Sequence, residues 1–462
     1  MEKVASFKLP IVRINPGASF IYLIIFLSGF GVYAVELGNV GLTPINLLVI
    51  LALPIVILIA CVRQQVPQIS IIGALYFIFF LICMFGAVVA DSPIDALRGA
   101  GGYFLENMLC FFYVIFFLKT RQHVEKAIKF FILGGIFNCV MGLTQLIGYY
   151  FFNEMIFPPL KELFRGQSGM KAFGYGTGAF SIPGFAYMTG FIGDGFGPWL
   201  IIPFSLSIYG IYKYKTLKFM FITSLFFVTI VLSVSRSSYL GLGAFLSFIY
   251  IFYRSKDRRF FPLVFNFYKT SFIVLFIIIG LYVSNTSSFF DRSEIKLSET
   301  TTIKTPIHLI KRVNPFIESM RSIQIEFFSS HMKLAMIHGF DNLGFGRGSE
   351  NFDDFVYKRY PVKYGSHSNF IIFLGDTGIW GFLTQILIVI FTIGYGLRTY
   401  FRQPKDTIDH LPLFLTGIYL ALVMTGIVRT FYLTPSTFII TGLIIKLNSI
   451  QYQEYDLVQI KI

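Results

Sequence analysis

Two polar side chains stand where the surrounding residues are almost wholly apolar. Arg236 lies in Val231-Leu-Ser-Val-Ser-Arg-Ser-Ser-Tyr239, between two apolar segments with no proper loop to separate them. His367 lies in Gly365-Ser-His-Ser-Asn369, directly before another apolar segment. Ionisable groups at membrane depth are costly and read first as functional. A guanidinium presents a planar fork that suits phosphate oxygens. An imidazole with Asn369 close enough to fix its tautomer offers a general base. The hydroxyls of Ser235, Ser237 and Ser238 suit a polar pocket around Arg236; the plainer alternative is an arginine that snorkels to lipid headgroups.

Composition sets the frame for these residues. The chain has 462 residues, 55% hydrophobic and 18% aromatic with 56 Phe, and only 13% charged, against about 25% charged in soluble domains. Mean hydropathy is +0.70. Apolar runs long enough to cross a bilayer recur along the length. This excludes a soluble enzyme, a nucleic-acid-binding domain, a disordered chain and a secreted protein. The expected fold is an all-α polytopic membrane protein, 1–462 being one membrane domain. About twelve spans are expected, near 17–35, 43–61, 69–90, 100–118, 127–150, 190–212, 217–234, 237–253, 267–285, 375–396, 411–429 and 433–447.

Basic residues set the orientation. With both termini inside, Lys119, Arg121, Lys126, Lys129, Lys213, Lys215, Lys218 and the 254–259 cluster share the cytoplasmic side. The net charge of +14 is then a topology signal rather than a nucleic-acid footprint. The basic N-terminus leads into a retained first helix. Cys61, Cys83, Cys110 and Cys139 show no metal-ligand spacing and read as buried thiols.

Two external segments are long. Residues 151–189 form a smaller Gly-rich loop, and 286–366 form the large external loop, with an amphipathic helix near 318–338 capped by Gly339. The Gly-rich turns at 166–178 and 343–348 suggest backbone N–H groups free to cradle phosphate. His331 and His338, seven apart on that helix, read as surface or as a weak metal pair. Glu106, Arg98, Asp194 and Asp376 are further polar residues in or near spans, for which structural ion pairing, such as Arg98 with Glu106, is as good an explanation as chemistry; Arg429, at the outer end of the eleventh span, suits an anion site or interfacial anchoring equally.

Three stretches resemble the O-antigen ligase and O-antigen polymerase superfamily of polytopic bacterial membrane glycosyltransferases. Met188-Thr-Gly-Phe-Ile-Gly-Asp-Gly-Phe-Gly-Pro-Trp199 is similar to that family's external Gly-Phe-x-x-Asp approach to a span. Val234-Ser-Arg-Ser-Ser-Tyr-Leu-Gly241 resembles its Ser-Arg-Gly turn. His367-Ser-Asn-Phe-Ile-Ile-Phe-Leu-Gly-Asp-Thr-Gly-Ile-Trp-Gly381 is similar to its His-Asn…Gly-x-x-Gly signature. Phe345-Gly-Arg-Gly-Ser-Glu-Asn-Phe352 matches a Gly-x-Gly-x-x-Phe turn loosely. The agreement covers roughly residues 185–385; His331 stands where the family's loop helix has Trp, and Met188 where a basic residue is usual.

The resemblance implies a GT-C-like architecture in the bacterial inner membrane with the active site facing outward. The implied donor is a polyprenyl-diphosphate-linked oligosaccharide, and the implied reaction inverts the anomeric centre without metal or cofactor. His367 is the implied catalytic base. Arg236, with Arg321 or Arg165, would bind the diphosphate, and Asn369, Ser235, Ser237, Asp194 and Asp376 would bind or orient substrate. Partners are the lipid bilayer and a chain-length regulator or flippase, with no nucleic acid. The first expectation is an O-antigen or exopolysaccharide polymerase. The alternatives are an O-antigen ligase that transfers finished glycan to a lipid acceptor, and a transporter of lipid-linked saccharides.

Overall fold

A computed structural model describes residues 16–29, 35–37, 40–42, 44–63, 70–147, 196–232, 236–253, 295–296, 302–303, 323–349, 351–359, 368–403, 408–428 and 434–459. The expected span at 267–285 and most of both long loops lie outside these residues. In chain order the helices are α1 (Pro16–Leu27), α2 (Pro44–Arg63), α3 (Ile71–Val89), α4 (Pro93–Gly102), α5 (Leu109–Phe117) and α6 (Arg121–Ile147). There follow α7 (Phe196–Tyr214), α8 (Leu217–Leu232), α9 (Arg236–Phe252), α10 (Ile323–His338), α11 (Phe352–Arg359), α12 (Asn369–Asp376), α13 (Gly378–Phe401), α14 (Leu411–Val428) and α15 (Pro435–Gln459). Two short antiparallel hairpins, Val35–Leu37 with Val40–Leu42 and Ile295–Lys296 with Thr302–Ile303, are the strands described.

Among the described residues, four helical stretches are long and apolar enough to cross a membrane: Ile71–Val89, Pro93–Phe117, Arg121–Thr144 and Gly378–Phe401. The described residues are thus almost wholly helical, and by length and composition these four stretches suit a membrane protein. Their outer faces carry large apolar side chains such as Val88, Phe85 and Ile390, which are exposed, as expected where lipid replaces water.

Local sequence explains where several helices begin and break. Ser70 caps α3, its hydroxyl accepting the N–H of Gly73 at 3.1 Å. Pro93 starts α4 seven residues before the expected span at 100, because a proline at the first helical position loses no hydrogen bond. Between α4 and α5 the chain winds as a π-helix over Tyr103–Met108, a rare form that often marks functional sites. The expected span at 375–396 is two helices, broken at Thr377 and at Gly378, whose φ is +66°. The expected span at 17–35 ends at Leu27 and gives way to strand at Val35.

One large core, built around residues such as Tyr76, Phe111, Phe204, Tyr419 and Phe438, joins the membrane helices. A second, smaller core of Ala335, Phe352, Phe355, Val356, Ile371 and Leu374 joins the large loop's α10 and α11 to α12. The loop elements thus pack on the helix that directly follows His367 in sequence.

Candidate functional site

Close approaches at small residues show which helix ends lie together. A Cβ added at Gly241, near the start of α9, would sit 2.6 Å from Thr425 and 3.1 Å from the Ala421 carbonyl, late in α14. A Cβ at Gly417, early in α14, would meet Phe245, Phe248 and Ile249 further along α9. The two helices run antiparallel, so α9 begins where α14 ends. Gly396 in α13 abuts Thr416 in the same way, which puts the start of α13 at that end too, with α12 packed beside it on α14. Ile201, near the start of α7, also meets Gly241, and the Trp199 indole N–H is donated to Ser436 Oγ at 3.1 Å, at the start of α15. The helix starts that follow Asp194, Ser235 and His367 in sequence therefore gather at one end of the bundle.

Within that gathering, Ser237 and Ser238 are buried, and the Ser238 hydroxyl has no hydrogen-bond partner among the described residues. Asn369, the first residue of α12, is 5% exposed, and Ser368 before it is also buried. Asp376 is 6% exposed, and its carboxylate accepts the Phe352 N–H at 2.8 Å. His367, Ser235, Asp194, Arg165, Arg321 and Arg429 lie outside the described residues, as do the side chains of Arg236 and Glu106.

The turn at 343–348 corrects one expectation. Four successive N–H groups are already donated inside the protein: Phe345 to Asn342, Gly346 to Asp341, Arg347 to Gly375 at 3.0 Å and Gly348 to Asp376 at 2.8 Å. It cannot cradle phosphate through them. Instead it latches the loop to the α12–α13 break. The fit needs glycine: a Cβ at Gly346 would lie 2.6 Å from the Gly375 carbonyl, and one at Gly378 2.0 Å from the Gly344 carbonyl. The turn at 166–178 lies outside the described residues.

Arg347 completes the latch. Its guanidinium lies 3.8 Å from the centre of the Phe355 ring and bonds Asp341, with Asp91 at 4.0 Å. The Asp341 carboxylate also lies 2.8 Å from His338 Nδ1. His331 and His338 are buried, at 1% and 9% exposure, so neither is a surface residue as expected from spacing. The ion pair described for Arg98 is with Asp95, at 3.3 Å on an exposed turn. Asn351 extends the latch to the α3–α4 turn by accepting the Ser92 N–H at 3.1 Å.

The opposite end of the bundle holds a charged clasp. Arg121 pairs with Asp409 and Glu125, and Lys213 reaches Glu125 at 2.6 Å. Tyr209 donates to Asp409 at 3.1 Å. Beside them His410 is buried, stacked on Tyr253 at 4.5 Å, with the Tyr400 hydroxyl 3.1 Å from its Nδ1. Burial pushes its imidazole down to about 4, while the Asp409 carboxylate pulls the other way. Lys126, Lys129, Lys215 and Lys218 lie exposed at the same end, which is the end away from α9's start.

Sequence reasoning missed a polar group deep in the bundle. Gln385 of α13 is fully buried, and its amide faces the hydroxyl of Tyr103 in the π-helix. A glutamine two turns into an apolar helix was the available signal.

Known protein families and curated proteins were both compared with the chain, and none matches.

Proposed function

We propose that this chain is a membrane glycosyltransferase that polymerises polyprenyl-diphosphate-linked saccharides for a surface polysaccharide. In this reading it has about twelve spans in a GT-C-like arrangement in the bacterial inner membrane, with both termini cytoplasmic. The donor diphosphate binds at Arg236, aided by a loop arginine such as Arg321 or Arg165. The acceptor hydroxyl oxygen attacks the anomeric carbon while His367 takes its proton. The bond from that carbon to the diphosphate oxygen breaks, and the electron pair leaves with the lipid diphosphate. Attack opposite the leaving group inverts the centre.

One observation carries the reading: the helices that begin at Arg236 and directly after His367 start at the same end of the bundle, beside the end of α14. Burial of Ser237, Ser238 and Asn369 there adds polar groups able to orient a sugar or a phosphate.

The test is a purified-protein assay on a polyprenyl-diphosphate-linked repeat unit, with and without chelator. Growth of chains on the lipid carrier in both conditions supports a metal-independent polymerase. Transfer of finished glycan to a lipid acceptor, with no chain growth, would make the protein a ligase. Movement of the unaltered lipid-linked saccharide across vesicles would make it a transporter.

A further inference from the structure

The large loop's helix α10 is inverted for a helix facing water. Its buried face carries His331, Ala335 and His338, while Met336 and Ile337 are 58% and 63% exposed. Phe340, just beyond the helix, is 64% exposed and continues the same stripe, at the i, i+3, i+4, i+7 spacing that Lys333 begins. The stripe runs on into Leu343, the most exposed large apolar residue described, at 90%. Leu343 and Asn342 both have left-handed backbone, with φ of +61° and +52°. Glycine or asparagine adopts that conformation with little strain, whereas leucine does so at a cost. A strained leucine pointed into water would serve nothing.

The surroundings say what covers it. The Trp380 indole N–H is donated to the Leu343 carbonyl at 3.0 Å, and Trp380 is half exposed at the start of α13. The Phe345 ring lies 6.2 Å from Phe85, whose exposed side chain shares the outer flank of α3 with Val88. Both α3 and α13 are long and apolar enough to cross a membrane. The stripe is therefore continuous with the flanks of two membrane helices. It ends in a tryptophan of the kind that settles at headgroup level, and in a lysine whose stem can reach back to water.

We propose that the face Met336–Ile337–Phe340–Leu343 is immersed in the bilayer, so that the large loop is held by lipid as well as by the Arg347 latch. The occupant is the acyl region of membrane lipid. Asn342 and Leu343 form the tip of a wedge, and Lys333 marks its water-facing margin. This does not rest on the transferase reading; it needs only that α3 and α13 span.

The test uses the full chain in phospholipid nanodiscs, on a Cys61→Ser background because Cys61 is the exposed thiol and Cys83, Cys110 and Cys139 are buried. Nitroxides are placed singly through Ile337→Cys, Leu343→Cys and Lys333→Cys, with Val88→Cys as lipid reference and the exposed Asp354→Cys as water reference. Collision with oxygen and with a water-soluble nickel chelate is then measured. Ile337 and Leu343 should match Val88, with oxygen favoured and nickel excluded, while Lys333 approaches Asp354. Nickel access at Leu343 and Ile337 equal to that at Asp354 would overturn the proposal. Low access to both reagents would also overturn it, since protein rather than lipid would then cover the face.

Discussion

The Asp376 carboxylate accepts the Phe352 N–H at 2.8 Å, while the Asp376 carbonyl takes the Gly348 N–H at the same distance. One residue at the end of α12 thus receives two separate parts of the large loop. Charge-assisted bonds to buried N–H groups are among the stronger ones. Asp376→Ala should lower stability by about 1–3 kcal/mol, the cost of leaving a buried donor unpaired. Asp376→Asn keeps an acceptor oxygen and should lose less. Thermal unfolding in detergent measures both. If the alanine variant melts like the wild type, the carboxylate is not holding the loop.

Gly378 and Gly346 fill the break between α12 and α13 because backbone, not a movable side chain, lies where a Cβ would go. Gly378→Ala adds left-handed strain at φ +66° to that clash. Expected destabilisation is about 3 kcal/mol or more, enough to reduce the folded yield sharply. Gly394→Ala and Gly243→Ala, inside helices with open space beside them, should be neutral or gain up to about 1 kcal/mol. Yields and melting curves that fail to separate Gly378→Ala from the other two variants would contradict this packing.

His410 gives a pH dependence. Its folded value of about 4 lies below the usual 6.5, so the unfolded chain binds the proton more readily. The contribution is fully present above pH 6.5 and is lost as pH falls from 6.5 toward 4, on the order of 3 kcal/mol in all. Melting temperature in detergent should fall over that window, and His410→Phe should flatten the fall while keeping a ring against Tyr253. An unchanged pH profile in that variant would assign the dependence to other groups.

Much of the scaffold was legible because membrane spans are written as long apolar runs, and α2, α3, α6, α8 and α14 appear where such runs occur. Gly339 follows α10 directly, its N–H donated to Ala335 at 2.7 Å. Details set by tertiary contact were not legible. The break at Gly378 depends on the distant turn at 343–348, and a short motif does not reveal its partner. Nor does a Gly-rich turn disclose whether its N–H groups are already used, as those of Arg347 and Gly348 are. The inverted face of α10 misled in the same way, since histidines on an amphipathic helix usually mark its wet side. Within the site, the starts of α9 and α12 were legible as polar interruptions of apolar sequence; their shared end follows from pairings with α14 that residue spacing does not encode.

Arg236 is proposed to grip the diphosphate with a two-pronged guanidinium, so charge alone should not replace it. Arg236→Lys should lose most transfer activity, about tenfold or more, with normal expression and membrane insertion. Rates of chain growth on the lipid-linked donor measure this. Wild-type turnover with lysine would reduce the residue to a point charge or an anchor.

The most direct measurement of the central claim is the turnover of purified His367→Ala on a polyprenyl-diphosphate-linked repeat unit. Loss of a general base predicts a fall of about a hundredfold or more in rate, with a melting temperature like that of the wild type. Polymer formed at the wild-type rate by that variant would contradict the role given to His367 and, with it, the catalytic account of this end of the bundle.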